Sequence, residues 1–574
     1  MDNRGLVPGR TARRANANMS ASRGSDTGSS EPAFATHGLR VPGRAAGVPS
    51  WLPAVALSAA LAAVLLVWDP HVRDLAAQTF RAELFERHGF VLWNGSWYEG
   101  HYTLTYSVLF PPLAALLGPQ LVGALSAVAS AYLFDRIVRE HWGERARWAT
   151  LWFAAGAASM LATGRLTFSL GAALGLGAVR ALQRRRTLPA IAWGALCTLA
   201  SPVAGVFLAG VSAVAAFGRG GQLNRPAVAV VAVAAAPILL LNLVFPDESR
   251  QAFSFGAFAP VALYGAAVLY VTRGLPAERR FRLAVVAYVL ATALLWLVPN
   301  PLGNNAVRLA SLFGGPLLLA IMLARRPRVP MPLAVLILAA TAFWQFLAPV
   351  RDLVQSAGDA STGAAYYKEL EAWLSGHGGE TARIEVPMTA NTWEAAYLAP
   401  QFQLARGWLG QLDRTRNDVF YEEGMTHERY RRWLQRNGVR YVALPDAPLH
   451  ASARRERRLI RDHPAYLEPR WSSGHWRVYE VAEPRPLVQG LAGARANLVA
   501  MTTDSFTLAV ERPGTFRVLV RSSPFWELSG SRGCVGGHGK WTVVRVPQPG
   551  TARVEVSFSM ASAWRSASGG TDTC

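Results

Sequence analysis

Long apolar runs separated by short polar segments dominate the chain up to residue 348. The runs are roughly 16–20 residues long, and a helix of that length crosses most of the ~30 Å hydrocarbon core of a bilayer. Helices and closed barrels are the structures that satisfy every backbone hydrogen bond in lipid. The pattern therefore predicts a polytopic α-helical membrane domain over residues 51–350.

The arginines between the apolar runs predict the orientation of this domain. Cytoplasmic loops of membrane proteins carry an excess of positive charge. Seven arginines precede the first run, Leu52–Trp68, and after it every second loop is basic. The alternation predicts about eleven spans, with the N-terminus in the cytoplasm and everything after residue 350 outside it.

Two apolar stretches do not fit single spans. Residues 104–117 contain a double proline, and the charge alternation holds if they form a re-entrant or interfacial helix. Residues 188–217 are interrupted by Ser201 and Pro202, so two short spans with a turn at that dipeptide are expected. Residues 1–50 are rich in Arg, Ser, Gly and Ala, which predicts a disordered cytoplasmic N-terminus.

Beyond residue 350 the apolar runs end, and the pattern is typical of a water-exposed protein. Residues 351–485 alternate amphipathic helix patterns with strand patterns, which predicts an α/β domain. Residues 486–574 alternate apolar with polar positions between Gly and Pro turns, which predicts a β-sandwich. The expected fold class is an α-helical polytopic membrane domain followed by an extracytoplasmic α/β plus β-sandwich region.

The composition agrees with a membrane protein and argues against several other classes. With 51% hydrophobic residues and a mean hydropathy of +0.18, the chain is too apolar for an ordinary soluble protein. The net charge of +21 lies mainly in the loops, which indicates anionic headgroups rather than nucleic acid as neighbours. The sequence contains no P-loop and no dinucleotide fingerprint. Its three cysteines, Cys197, Cys534 and Cys574, indicate no disulfide framework and no metal-ligand cluster.

The outer loop at residues 69–112 is longer than a turn between two helices needs. Asp69 and Asp74 stand near its start, close to the end of the first predicted helix. A carboxylate that is partly desolvated at the lipid boundary can act as a general base on an acceptor hydroxyl. We therefore interpret Asp74 or Asp69 as the candidate catalytic residue.

The same loop carries candidate sugar contacts. Aromatic rings stack on the apolar faces of pyranoses while carboxylates bind hydroxyls, and both kinds of side chain follow the two aspartates. An interfacial aromatic belt with solvated acids is the alternative interpretation. The candidates are Glu83, Glu86, Trp93, Trp97, Glu99 and His101.

Further candidates for substrate binding lie elsewhere in the chain. Arg165 and Arg308 occupy loops that are otherwise poor in positive charge, where each could clamp the phosphate of a polyprenyl-phosphate donor. Snorkelling to lipid headgroups is the alternative for both. A polar segment of the outer domain adds Arg406, Gln411 and Asp413 as substrate contacts, with a structural salt-bridge network as the alternative.

Several segments carry a family resemblance, among them DLAAQ, HGFVLWNGSWYEGH, YSVLFPPLAALLG and GRLTFSLG. They look like segments of uncharacterised actinobacterial polytopic membrane proteins. The whole arrangement resembles the GT-C superfamily of integral-membrane glycosyltransferases, which have a long first outer loop, many spans and an extracytoplasmic C-terminal domain. The resemblance implies a GT-C-like fold with an acid of that loop as base or metal ligand, a position that Asp74 or Asp69 could match. The loop contains no D-x-D or E-x-D pair.

The resemblance implies a glycosyltransferase that uses a polyprenyl-phosphate sugar as donor substrate. It would act on a cell-envelope glycan or lipid at the outer face of the cytoplasmic membrane. Its partners would be the lipid bilayer, the lipid-linked sugar and the envelope glycan acceptor. The resemblance leaves room for a divalent cation, although the sequence assigns no metal ligands. A transporter or lipid flippase and a non-catalytic envelope-assembly protein are the alternative functions.

Overall fold

The computed structural model describes residues 49–217, 222–251, 253–570 and 574. The tail predicted at residues 1–50 lies outside this part of the chain, apart from its last two residues. Up to residue 356 the described chain is mainly helical. Its helices are α1 Leu52–Trp68, α2 Arg73–His88, α3 Phe110–Leu117, α4 Pro119–Trp142, α5 Arg147–Ala158, α6 Leu166–Gln183, α7 Thr187–Ala200, α8 Pro202–Ala216, α9 Arg225–Val244, α10 Phe255–Val271, α11 Arg279–Leu297, α12 Arg308–Arg325 and α13 Met331–Ser356.

Among the described residues, six helices are long and apolar enough to cross a membrane: α4, α6, α9, α11, α12 and α13. A seventh span is added if α1 and α2, which meet at 79°, count as one broken span. The predicted number of about eleven spans is therefore not confirmed. One reason is helix length, since α7 and α8 have 14 and 15 residues. At 1.5 Å per residue such helices reach about 21–23 Å, short of the ~30 Å core.

The break between α7 and α8 lies at the Ser-Pro dipeptide where the sequence predicts it. Ser201 is extended, with φ −157° and ψ 110°, and its Oγ accepts the backbone N–H of Ala204 (3.4 Å) as the N-cap of α8. Pro202 then occupies the first position of α8, where a missing N–H costs no helical hydrogen bond. The other apolar stretch that does not fit a single span, residues 104–117, contains α3. This helix has eight residues, too few to cross a bilayer.

The described chain beyond residue 356 is rich in β-structure and forms the C-terminal region. Two further strands belong to the loop after α2: β1 Trp93–Asn94 and β2 His101–Tyr102. The later strands are β3 Arg383–Glu385, β4 Gln403–Leu404, β5 Val439–Pro445, β6 Leu467–Ser472, β7 Trp476–Val481, β8 Val488–Gly490, β9 Arg495–Met501, β10 Ser505–Arg512, β11 Gly514–Arg521, β12 Trp526–Ser529, β13 Cys534–His538, β14 Trp541–Val546 and β15 Gly550–Val556. The helices are α14 Lys368–Gly376, α15 Glu394–Tyr397, α16 Gly410–Arg416, α17 His427–Asn437, α18 Arg454–Arg461 and α19 Met560–Ala567.

The strands of the C-terminal region form one mixed sheet and two antiparallel sheets. The mixed sheet has the order β4-β3-β5-β7-β6, with β3 parallel to both β4 and β5. The four-stranded sheets have the orders β12-β15-β10-β9 and β13-β14-β11-β8, and their apolar side chains share one core, which includes Phe506, Phe516 and Val544. The C-terminal part of the chain is thus rich in β-structure, as expected. The domain boundaries at residues 350 and 485 stay a prediction.

A disulfide joins Cys534, at the start of β13, to Cys574, with the two Cα atoms 5.6 Å apart. The sequence analysis, which found no disulfide framework, was wrong on this point. Two cysteines separated by 40 residues form no spacing motif, so their pairing depends on the fold of the region between them. Cys197 is free and buried in α7.

The loop at residues 89–106 packs into the C-terminal region. The backbone N–H of Leu404 donates to the carbonyl of Ser96 (2.8 Å), and Trp97 pairs with Leu404 in a parallel bridge. The indole N–H of Trp97 donates to the carbonyl of Ala395 (3.2 Å). On the opposite side of the loop, the N–H of Arg521 donates to the carbonyl of Glu99 (2.9 Å). The loop therefore joins the helical region to the mixed sheet and to one sheet of the β-sandwich.

Candidate functional site

Four helices of the membrane region begin at one cavity, which lies between that region and the C-terminal region. The cavity has a volume of about 740 Å³, and its lining includes the first residues of α2, α8 and α12 and the N-cap of α6. Unpaired N–H groups and the helix dipole make a helix N-terminus favourable for negative charge. The convergence of four such ends predicts an anionic ligand at this wall of the cavity. The residues are Arg73 and Asp74 of α2, Arg165 before α6, Pro202 of α8 and Arg308 of α12.

Asp74 forms an ion pair with Arg165, with 3.6 Å between Oδ2 and Nε. Gly164 allows the two helices to approach this closely. Its φ is +67°, and a Cβ at this position would lie 2.3 Å from the backbone nitrogen of Leu75. The turn before α6 therefore rests directly on the first turn of α2, and this contact brings Arg165 beside Asp74.

Two further arginines surround this pair. The Arg308 guanidinium lies 5.5 Å from the centroid of the Phe168 ring and interacts electrostatically with both Arg165 and Asp74. Arg81 stacks over Tyr106 at 3.7 Å. We call Asp74, Arg81, Arg165 and Arg308 the helix-end subsite. Its three arginines exceed its one carboxylate, so the subsite is positively charged.

The C-terminal region closes the cavity over the helix-end subsite. The indole N–H of Trp408 donates to the carbonyl of Arg73 (3.2 Å), and its ring meets Tyr106 edge-on at 6.0 Å. Gln411 donates from Nε2 to the carbonyl of Pro301 (3.1 Å), close to the start of α12. These contacts hold the C-terminal region directly against the ends of the helices.

One wall of the cavity is apolar. Val203 and Val206 of α8 and Ile238 of α9 line it. The neighbouring face of α9 is exposed, with Leu239 and Leu240 showing 68% and 61% of their surface. An apolar wall that continues onto exposed leucines is the surface that a hydrocarbon chain would follow from lipid into the cavity.

Six of the residues predicted from sequence line the cavity: Asp74, Trp93, His101, Arg165, Arg308 and Gln411. His101 is 7% exposed, and burial, together with the charges of Arg416 and Arg81, lowers its pKa to about 3. His101 is therefore neutral at neutral pH. It can donate or accept a hydrogen bond there, but it supplies no positive charge.

The other candidates of the first loop lie outside the cavity. Asp69 caps the C-terminus of α1, where Gln120 donates a hydrogen bond to it. Glu83 pairs with Arg87 on α2, and Glu86 is exposed. Trp97 is completely buried and stacks on Phe80 at 4.5 Å.

Glu99 is also buried, with 2% of its surface exposed. Burial alone would raise the pKa of Glu99, but the nearby charges of Arg383, Lys540, Arg521 and Arg416 lower it below its usual range. The carboxylate is therefore ionised and held inside the protein, where it fixes arginines at the cavity wall.

Arg406 and Asp413 form the salt-bridge network that the sequence analysis gave as the alternative. The guanidinium contacts both oxygens of Asp413, at 3.0 Å from Nε and 2.6 Å from Nη2. Two more carboxylates approach it, Glu456 at 3.6 Å and Glu385 at 3.8 Å. All four side chains are buried, so this cluster lies away from any ligand in the cavity.

Sequence reasoning missed Arg81, Tyr106, Trp408 and a second basic group in the cavity lining. One of them carried a signal: Arg81 follows Asp74 by seven residues, and two helical turns place such residues on the same face. No local sequence signal indicated Trp408, because its contact with α2 joins residues 335 positions apart.

The side chains at the helix-end subsite do not form a metal site. Among the described residues, no group of three or more His, Cys, Asp or Glu side chains could hold a metal ion. The nearest charged partner of Asp74 is an arginine, which does not suit a cation ligand set. No catalytic step is therefore assigned to a metal.

The fold and the cavity define a membrane protein with a positively charged site at converging helix ends, covered by a β-rich region. No family model and no curated protein sequence matches the chain. Among solved structures it is similar to the arabinofuranosyltransferase AftD from Mycobacteria, at 15% identity and a TM-score of 0.41, over 89% of this chain and 57% of that one. It is also similar to ArnT from Cupriavidus metallidurans in the apo state, at 15% identity and a TM-score of 0.39, over 75% of this chain and 99% of that one.

Both structures belong to the GT-C superfamily of membrane glycosyltransferases, the superfamily that the sequence resembles. The chain spans little more than half the length of the AftD structure. A particular closeness to actinobacterial proteins stays a prediction. At these identities and TM-scores neither structure assigns a role to any residue of this chain.

Proposed function

We propose that the protein is a membrane glycosyltransferase that moves a sugar from a polyprenyl phosphate to a cell-envelope glycan or lipid. The observation that supports this most directly is the helix-end subsite. Asp74 lies beside Arg165 where four helix N-termini meet at one cavity. A site of this kind suits a phosphate next to a carboxylate that can accept a proton.

The donor phosphate would bind among Arg165, Arg308 and Arg81. Arginine forms planar, paired hydrogen bonds with phosphate oxygens and stays charged in a partly dry site. The N–H groups at the starts of α6, α8 and α12 add partial positive charge. The polyprenyl chain would lie along Val203, Val206 and Ile238 and continue into the bilayer beside α9.

The transfer itself would use Asp74 as the general base. The acceptor hydroxyl oxygen attacks the anomeric carbon of the donor sugar, and the bond from that carbon to the phosphate oxygen breaks. The Asp74 carboxylate takes the hydroxyl proton. The electron pair of the broken bond stays on the polyprenyl phosphate, whose charge Arg165 and Arg308 stabilise.

The reaction would take place at the outer face of the cytoplasmic membrane. The alternation of basic loops supports a cytoplasmic N-terminus and an extracytoplasmic C-terminal region. The cavity lies on the side of the helical region that carries the C-terminal region. An acceptor in the envelope would therefore reach it without crossing the membrane.

A comparison of Asp74→Asn with Asp69→Asn tests this assignment. The strain that lacks the protein is complemented with each variant at the wild-type protein level, and its polyprenyl-linked sugars are measured by lipid mass spectrometry. Asp74→Asn should lower transfer by about 10²–10⁴-fold and cause the donor to accumulate, since a general base contributes that much. Asp69→Asn, outside the cavity, should behave as wild type.

Two outcomes would contradict the assignment. Loss of transfer in Asp69→Asn alone would move the base to the end of α1. Full transfer in both variants would exclude both Asp74 and Asp69 as the general base.

A further inference from the structure

The cavity lining carries a second group of cations besides those of the helix-end subsite. Arg416 ends α16, Arg521 ends β11, and Lys540 lies between β13 and β14. A carboxylate joins them from the connection between α9 and α10, namely Glu248. We call these four residues the sheet-end cluster.

Glu248 is held by both arginines of this cluster. Its Oε2 lies 3.1 Å from Nε of Arg416 and 3.3 Å from Nη1 of Arg521. The arginine side chains are 9% and 11% exposed, whereas that of Glu248 is 54% exposed. A carboxylate that reaches from an exposed loop to two nearly buried arginines has the geometry of a bound anion.

Both arginines also have partners other than Glu248. Arg416 donates from Nη1 to the carbonyls of Tyr98 (2.9 Å) and Gly100 (2.7 Å). Arg521 pairs through Nε with the buried Glu99 (3.4 Å). The loop at residues 89–106 therefore holds both guanidinium groups through contacts that do not involve Glu248.

Lys540 adds a third cation to the cluster. Among the described residues it forms no ion pair within 4 Å; its Nζ lies 3.4 Å from Oδ1 of Asn437 and 4.2 Å from the Trp541 ring centroid. Asp247 also lines the cavity, where it accepts the backbone N–H of Ser249 (2.7 Å). Without the Glu248 carboxylate the sheet-end cluster would hold three cations, of which Arg521 is paired with the buried Glu99.

We propose that the sheet-end cluster binds an anionic group of the acceptor, a carboxylate or phosphate on an envelope glycan, and that Glu248 occupies this place until the acceptor displaces it. The substrate class rests on the proposed function, because it treats the ligand as the acceptor of that reaction. The cavity of about 740 Å³ has the size of an ordinary ligand pocket and leaves room for a donor sugar and an acceptor sugar together.

Equilibrium binding to the full-length protein in nanodiscs tests the proposal. The probes are a disaccharide with one glucuronate, glucose 6-phosphate, inorganic phosphate and the neutral disaccharide maltose. Quenching of tryptophan fluorescence reports binding, since Trp93 and Trp408 line the cavity. Glu248→Gln should tighten binding of the anionic sugars by about 3–10-fold, because a competing carboxylate is removed. Lys540→Gln should weaken binding by about 10-fold.

Lys368→Gln is the matched control, because Lys368 is an exposed residue of α14 that is not among the residues lining the cavity. Preference for glucuronate or for glucose 6-phosphate identifies which anion the acceptor carries, and either supports the proposal. Equal binding of maltose and the charged sugars would overturn it, as would anion binding that neither Glu248→Gln nor Lys540→Gln changes. Binding of inorganic phosphate with the same response to Lys540→Gln, but no binding of either anionic sugar, would also overturn it.

The same measurement on Asp74→Asn separates this proposal from the proposed function. Anion binding that responds to Lys540→Gln in a protein without transferase activity supports the cluster as an anion site independently of the reaction. If the wild-type protein shows such binding but no transfer from any polyprenyl-phosphate sugar, the proposed function alone fails.

Discussion

Three carboxylates of this protein show how strongly the surroundings of a side chain determine its role. Asp74 is partly exposed at the cavity and has one arginine beside it. Glu99 is buried among four cations that keep it ionised. Glu385 is also buried, but its neighbours include other carboxylates, and neither of its oxygens accepts a hydrogen bond within the described residues. Only the first of the three has the access that a catalytic group needs.

Glu385→Gln should stabilise the protein at alkaline pH. Burial, followed by the charge of Glu456, raises the pKa of Glu385 well above its usual range, while Arg406 opposes the rise. The stability that this raised pKa confers is complete below the glutamate pKa of the unfolded chain and is lost as pH rises through the folded value. Glutamine does not ionise, so the apparent Tm at pH 8 should exceed that of wild type by about 2–4 °C, with little difference at pH 5.

Glu480→Gln is the control for this measurement, because Glu480 forms ion pairs with Arg440 and Arg470 near the surface. Thermal unfolding in detergent at both pH values measures the effect. A Tm difference that is the same at pH 5 and pH 8 would show that ionisation of Glu385 does not contribute.

At the scale of elements, the site depends on the contact between the starts of α2 and α6. Gly164 makes this contact possible because a side chain there would overlap the backbone of Leu75. The contact determines the distance between Asp74 and Arg165, and thus the geometry of the helix-end subsite. A small change in packing should therefore affect catalysis as well as stability.

Gly164→Ala should separate these two effects. The new Cβ would lie 2.3 Å from a backbone nitrogen and would stand at a positive φ, so α6 has to move away from α2. We expect a loss of stability of about 1–3 kcal/mol and a fall of transferase activity of about 10-fold or more, since small displacements in a site are costly.

Gly143→Ala provides the comparison. Gly143 also has a positive φ, +77°, but a Cβ there would meet nothing within 4 Å. Gly143→Ala should therefore lose stability because of its positive φ, but it should keep its transferase activity. Equal activity of the two variants would mean that the contact between α2 and α6 does not position Arg165.

At the scale of the whole molecule, the disulfide holds the C-terminal end of the described chain near the cavity. Ser566 of α19 donates from Oγ to the carbonyl of Val244 in α9 (2.6 Å) and also lines the cavity. Cys574 follows α19 and is bonded to Cys534 in the β-sandwich. The segment from α19 onward is thus attached at both of its ends.

Cys574→Ser should loosen α19 while leaving the rest of the fold in place. Closure of a loop of about 40 residues contributes about 4 kcal/mol in the chain-entropy model, and this stabilisation should be lost from the segment after β13. Hydrogen exchange read by mass spectrometry should show faster exchange in α19 for Cys574→Ser and for Cys534→Ser. Cys197→Ala, which removes the free cysteine of α7, should leave exchange in α19 unchanged. Unaltered exchange in both disulfide variants would contradict the prediction.

Local signals explain which features could be predicted from sequence. The break at Ser201 follows from a dipeptide, and Asp74 follows from its place just beyond the first apolar helix. Trp97 shows the limit of such local signals. An aromatic residue close to acidic residues in the sequence suits a sugar site, but the indole of Trp97 is buried against a carbonyl 298 residues away. Likewise Arg521 and Lys540 reach the cavity through pairing of distant strands, which no local pattern encodes. The predicted number of spans is not confirmed, since charge alternation does not measure helix length.

The loop at residues 89–106, which packs into the C-terminal region, has a consequence for how the chain is synthesised. Trp97 leaves the ribosome 298 residues before Ala395, the partner of its indole. At about 5–20 residues per second, the loop must wait about 15–60 s with an exposed indole and unpaired backbone groups. During this interval the loop lacks the partners that bury it in the folded protein. Substitutions that weaken the C-terminal region should therefore reduce the amount of protein inserted in the membrane before they reduce the activity of each molecule.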